Sequence, residues 1–151
     1  MKLEIKTYSK SLVPDVLDFE KRLREEEQFW GWEINDAYRD AVESSFDRHA
    51  FDNALSLLAY VNGRVVGRID ASLIPSHFDG SIKAYLDWIC VIKSSRHQGV
   101  AQALMNSLRK ELRGRGITTL IALTAANDEA QRFYQHIPNS FMRDTGIWID
   151  V

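Results

Sequence analysis

Residues 91–101, Val-Ile-Lys-Ser-Ser-Arg-His-Gln-Gly-Val-Ala, constrain the fold more than any other stretch. An apolar, β-branched run over residues 82–92 enters them and an amphipathic helical pattern leaves them, so they join a buried strand to a helix through a short polar turn. The helix, predicted over residues 98–113, sets Ala101, Leu104, Met105, Leu108 and Leu112 on one face, and Gly114 and Gly116 stop it. A helix with such a face needs a sheet to lie on. The turn also leaves backbone N–H groups unpaired at the positive end of the helix, an arrangement that holds anions.

The remaining segments supply that sheet. Leu3, Ile5 and Thr7 alternate with charged residues, as a half-buried strand requires. Pro14 suits a first helical turn, and Val13, Val16, Leu17 and Leu23 recur at helical spacing behind it. Asn35 is placed to cap a second helix carrying Ala37, Tyr38, Ala41, Val42 and Phe46. Residues 55–61 and 64–74 flank Asn62-Gly63, the strongest hairpin signal in the chain. Further on, residues 118–124 read as a buried strand and 128–136 as a short helix. Residues 141–143 and 147–151 read as a closing hairpin around Thr145-Gly146. The predicted order β-α-α-β-β-β-α-β-α-β-β describes an α+β domain with a mixed, mostly antiparallel central sheet flanked by helices. With 151 residues and 45% apolar content, residues 1–151 fit one domain.

Charge narrows the partners. Residues 1–60 carry thirteen acidic and eight basic side chains, whereas residues 61–151 carry eleven basic and eight acidic. The basic excess sits between Lys93 and Arg115, but a pI near 6.1 and no interleaving of aromatics argue against a nucleic-acid partner. No run is long and apolar enough to span a bilayer, and residues 1–8 lack the pattern of a secretory leader. The single cysteine, Cys90, excludes an internal disulfide and suits the reducing cytoplasm. His49, His77, His97 and His136 have no metal-ligand spacing, so no metal is expected.

Two motifs carry a resemblance. Val91, then Arg96, Gly99 and Ala101, fall where the GCN5-related N-acetyltransferase (GNAT) superfamily has an apolar strand ending in Val followed by R/Q-x-x-G-x-G/A. Asn127, Ala130, Phe133 and Tyr134 match its second signature, Asn-x-x-Ala-x-x-Phe-Tyr. The resemblance implies an acyl-CoA-dependent N-acetyltransferase with acetyl-CoA as donor, whose strands 4 and 5 splay apart to admit the pantetheine arm. It places the pyrophosphate on the turn of Arg96, His97, Gln98, Gly99, Val100 and Ala101, with a β-bulge near residues 89–91 and the backbone of Ile89 and Val91 facing the thioester. It makes Tyr134 the acid that protonates the departing thiolate and Asn127 a partner of the pantetheine arm, although Asn127 is equally suited to cap residues 128–136.

The base is open between Asp87, expected to be desolvated in its apolar strand, and Tyr85, which can order a water. A core role suits Cys90, since the superfamily transfers directly from thioester to amine in a ternary complex. One departure stands out: the short turn ending in Gly-Phe that usually follows the Tyr helix is replaced by residues 135–141, which are longer and lack the glycine. Glu27, Phe29, Trp30 and Trp32 combine acidic and aromatic groups between the first two helices and suit a small cationic amine acceptor. Acetylation of a protein or peptide, a non-catalytic CoA-binding module and a homodimer are the other possibilities the resemblance admits.

Overall fold

The computed structural model describes residues 2–27 and 33–151. Phe29, Trp30 and Trp32 lie outside the described residues. Strand β1 (Leu3–Thr7) leads into helix α1 (Val13–Glu27), whose first turn accommodates Pro14. Helix α2 (Asp36–Ser45) is capped as the sequence requires, the Asn35 side chain accepting a 2.9 Å bond from the Tyr38 N–H. Strands β2 (Ala54–Val61) and β3 (Arg64–Pro75) form the hairpin, with Asn62 at φ 50° and Gly63 at φ 78° making the turn. Strand β4 (Ile82–Val91), helix α3 (Val100–Gly114), strand β5 (Leu120–Ala122) and helix α4 (Asp128–Gln135) complete the order.

The five strands form one mixed sheet in sequence order. Neighbours from β1 to β4 are antiparallel, and β5 joins β4 in parallel. Register divides the sheet into two faces: Gly67, Ile69 and Ala71 point one way, Arg68, Asp70 and Ser72 the other. Helix α3 lies on the first face. A Cβ built at Gly67 would meet Val100 and Leu104 of α3 at 3.2 Å, so the helix rides directly on the β3 backbone. Val100, Leu104, Met105, Leu108 and Leu112 are buried there, each long aliphatic contributing roughly 1.5–3 kcal/mol of transfer free energy. Helix α1 covers the second face through Val13, Val16, Phe19 and Leu23, whereas α2 buries no residue fully and stands off the sheet.

Three sequence expectations change. The β-bulge lies at Asp87, not at residues 89–91: Asp70 pairs with Trp88 and Ala71 with Leu86, so Asp87 is the extra residue. Strand β5 is three residues, shorter than the expected 118–124, and half-exposed, because its pairing with β4 stops at Leu86–Ala122, where the bulge turns β4 away. The closing hairpin does not form. Residues 136–151 contain neither helix nor strand, and Phe141, Met142, Ile147, Trp148 and Ile149 are exposed. Their alternation is genuine, but a two-stranded hairpin with no sheet to join is marginal in water, and β5 ends too early to receive it.

Candidate active site

The site is built along β4, the strand whose edge is left open. The bulge at Asp87 inverts which peptide groups face which neighbour. Before it, Ala84 faces β5 and donates to the Thr119 carbonyl at 2.9 Å. After it, Ile92 donates inward to Val66 at 2.9 Å, so by alternation the N–H groups of Ile89 and Val91 point outward along the edge that β5 has left. The sheet therefore opens between β4 and β5 beyond Leu86, as the family resemblance implies.

At the end of that opening the chain enters the turn. Residues 93–95 make one turn of 3-10 helix, His97 takes φ 59°, and Gly99 takes φ 81° as it caps α3. A Cβ at Gly99 would have open space around it. The backbone entering α3 is thus uncrowded, as the close approach of a pyrophosphate to it requires.

The Arg96 guanidinium turns back from the turn. Its Nε donates to the Val91 carbonyl at 3.0 Å, and its two terminal nitrogens meet Glu27 and, at 3.5 Å, Glu129. Glu129 also lies 3.5 Å from the exposed His97 ring, while Gln98 reaches back to the Ser94 carbonyl at 3.2 Å. Glu26 accepts from both the N–H and the hydroxyl of Ser94 at 2.9 Å. Glu27, expected on the acceptor side, pairs instead with Arg96 of the turn, because α1 remains helical as far as Glu27 and delivers its acidic end there.

Helix α4 sets Tyr134 close to Tyr85 of β4. Its ring packs edge-on against Phe133, with centroids 5.3 Å apart. Burial, and to a lesser degree the nearby Tyr85, pushes the Tyr134 hydroxyl above the ordinary phenol range, so it keeps its proton at working pH. The structure thus brings Tyr85 and Tyr134 together. Asn127 caps α4, accepting from the Ala130 N–H at 2.8 Å. The long turn after α4 is held by Arg109, which donates to the Pro138 carbonyl at 3.1 Å, and by Ser140, which donates to the Ile137 carbonyl at 2.7 Å.

Between the sheet and α2, on the face that carries Arg68, Asp70 and Ser72, lies a cavity of about 560 Å³. Tyr8, Tyr38, Phe46, Phe51 and Trp88 give it aromatic walls. Its floor is a buried ion-pair network: Arg68 donates to Asp70 at 2.7 and 2.8 Å and to Glu20 at 3.1 Å, and Arg24 holds the other Glu20 oxygen at 2.7 Å. Four carboxylates line the cavity, Glu20, Asp52, Asp70 and Asp87, against two guanidinium groups, Arg48 and Arg68. Asp87 is exposed, so the desolvation expected of it is absent; the bulge lifts it out of the apolar strand to the cavity wall. Cys90 is half-buried, and burial pushes its thiol up to about 12, which leaves no thiolate for nucleophilic work. Among the described residues no group of three or more His, Cys, Asp or Glu side chains is placed to hold a metal, and no helix is long and apolar enough to cross a membrane.

The cavity residues Tyr8, Tyr38, Arg68, Asp70 and Trp88 were not among the sequence candidates. One signal for them existed: Arg68 and Asp70 alternate with Gly67, Ile69 and Ala71, so β3 carries a charged face where a core strand would carry none.

Comparison with known proteins agrees with this geometry. The sequence profile of the Acetyltransferase (GNAT) family matches residues 7–137. No curated protein sequence matches the chain. Among solved structures, an aminoglycoside acetyltransferase, meta-AAC0020, from an uncultured soil metagenomic sample superposes with a TM-score of 0.82 at 14% identity, covering 99% of this chain and 96% of that one. AAC(6')-Iy, solved with a bisubstrate analogue, CoA-S-monomethyl-acetylneamine, gives 0.77 at 20% identity over 100% of this chain and 99% of that one. A ribosomal-protein-alanine N-acetyltransferase from Brucella melitensis biovar Abortus 2308 gives 0.75 at 16% identity over 99% and 100%. At these identities the superpositions speak for the fold, and the matched profile speaks for the family. The open edge of β4, the glycine turn and the profile over residues 7–137 lead to one conclusion: the chain belongs to the acetyltransferase (GNAT) family, acyltransferases that take the acetyl group from acetyl-CoA.

Proposed function

We propose that this chain is a single acetyltransferase domain that acetylates a small cationic amine by direct attack in a ternary complex. The observation that carries the reading is the bulge at Asp87, which turns one edge of β4 toward the opening left by β5 and one face toward the acidic, aromatic cavity. When bound, the donor supplies an acetyl thioester in the opening.

The backbone N–H groups of residues 97–101 take its pyrophosphate. The Val91 N–H donates to the thioester oxygen, stabilising the charge that grows there as the amine attacks. Asp87 accepts the proton that the ammonium group must lose, directly or through a water that Tyr85 helps to order. Tyr134, kept protonated by burial, gives a proton to the sulfur as it departs. The nitrogen loses two protons on its way from ammonium to amide: the one taken by Asp87 passes to water, and the one released as the amide forms balances the proton that Tyr134 gives to the thiolate, so the chain ends each turnover unchanged.

The acceptor is read as a cation because the cavity carries more carboxylates than guanidinium groups and five aromatic side chains. The volume of about 560 Å³ suits a small molecule. Aminoglycosides, the class in the name of the metagenomic structural relative, are accordingly a first class to try, with polyamines beside them. The lone, protonated Cys90 fits a cytoplasmic enzyme. A screen of aminoglycosides, polyamines and N-terminal peptides, read by thiol release from acetyl-CoA, tests the proposal. Turnover with cationic small molecules is the expected result, and turnover confined to peptides would transfer the assignment to protein acetylation.

A further inference from the structure

We infer that Arg96 acts as a positioning residue, a three-way strut between the end of β4, the acidic end of α1 and the helix carrying Tyr134, and not as the ligand of the donor's phosphates. The inference rests on the proposed donor site and deepens it. Each guanidinium nitrogen faces a protein oxygen. Nε donates to the Val91 carbonyl at 3.0 Å, one terminal nitrogen donates to Glu27, and the other lies 3.5 Å from Glu129. With its single positive charge facing two carboxylates, the side chain offers an anion little net attraction.

The three partners are informative in themselves. The Val91 carbonyl belongs to the residue whose N–H is directed at the thioester, so the bond fixes the orientation of that strand end. Glu129 stands in the first turn of α4, the same eight-residue helix that carries Tyr134. Glu27 is the last residue of α1, and its neighbour Glu26 takes both donors of Ser94, so two successive carboxylates pin the turn. Through one planar fork, the group that polarises the thioester and the helix bearing the acid are held at a set distance. A displacement of about 1 Å in such a group can cost on the order of 100-fold in rate.

Charge alone cannot do this, because the geometry needs a fork with separate nitrogens, which lysine lacks. The two roles therefore predict opposite behaviour. A phosphate ligand tolerates Arg96→Lys and loses donor affinity in Arg96→Met. A strut fails in both, and its loss appears in kcat.

The experiment measures kcat, and acetyl-CoA affinity by calorimetry, for the wild type, Arg96→Lys, Arg96→Met, Glu27→Gln, Glu129→Gln and the Arg96→Met/Glu27→Gln pair. The expected result is a fall in kcat of about tenfold or more for both Arg96 variants and for Glu27→Gln, with the acetyl-CoA Kd within about threefold of wild type. The double variant should lose no more than the worse single one, since both act on one charge-assisted contact. The glutamate variants keep the test sound if an Arg96 variant does not fold. Retained kcat in Arg96→Lys with a weakened Kd in Arg96→Met, or tighter donor binding in Glu27→Gln, overturns the strut. A wild-type protein that does not bind acetyl-CoA overturns the donor site itself, a distinct result.

Discussion

Gly99→Ala separates the conformational demand of the turn from its role in binding. Gly99 sits at φ 81°, ψ 4°, a left-handed conformation that costs a residue with a Cβ about 1–2 kcal/mol. A Cβ there would meet nothing within 4 Å, so no clash adds to that cost. For a chain of this size, 1–2 kcal/mol lowers Tm by about 2–8 °C. Gly116 provides the matched control: it has φ 73° and equally open surroundings, but it lies beyond the far end of α3. Both alanine variants should therefore lose comparable stability by thermal denaturation. They should part in kinetics. The open space in front of Gly99 is where the pyrophosphate must approach, so Gly99→Ala should raise the acetyl-CoA KM about tenfold or more, roughly 1.4 kcal/mol of lost binding. Gly116→Ala should leave that KM unchanged. Equal donor KM values in the two variants would refute the assignment of the turn.

Other consequences follow from the same geometry. Tyr134→Phe should lower kcat about 100-fold while the Tm shift caused by acetyl-CoA persists, because it removes the acid and not the donor's anchors. Asp87→Asn should leave stability within about 0.5 kcal/mol, since the side chain is exposed, and should lower kcat about 100-fold with the acetyl-CoA KM unchanged; a kcat that survives it and falls in Tyr85→Phe would move the proton acceptor to the tyrosine's water. Cys90 titrates at about 12 in the folded protein against 9.0 for an ordinary thiol. Its contribution to stability is thus complete below pH 9 and is lost as pH rises from 9 toward 12, so the urea midpoint should decline over that range and decline less in Cys90→Ala.

What could be read in the sequence was local. Asn35 and Asn127 announce the starts of α2 and α4 because a cap needs only its own next three residues. Asn62-Gly63 fixes the β2–β3 hairpin for the same reason, and the face of α3 is written in its leucines. The turn at Gly99 was legible through its motif. What escaped depends on how strands meet. Nothing in the run from Ile82 to Val91 says that Asp87 is the residue left over when β4 pairs with β3, yet that one-residue surplus directs Ile89 and Val91 outward and brings Asp87 to the cavity. The short β5 and the unformed hairpin follow from the same early separation of β4 and β5. Glu27 was read as part of an acidic, aromatic connection, whereas the length of α1 carries it to Arg96 across the molecule. Trp88 and Asp70 face each other across β3 and β4, a proximity that only the register defines.

The central claim is that the donor lies along the open edge of β4 and on the turn before α3. Amide hydrogen exchange with and without acetyl-CoA tests it most directly. The account predicts slowed exchange at residues 87–91 and 97–101 on adding the donor, with the hairpin turn at residues 62–63 unaffected. Unchanged exchange in both segments, or protection confined to the cavity beneath α2, would contradict it.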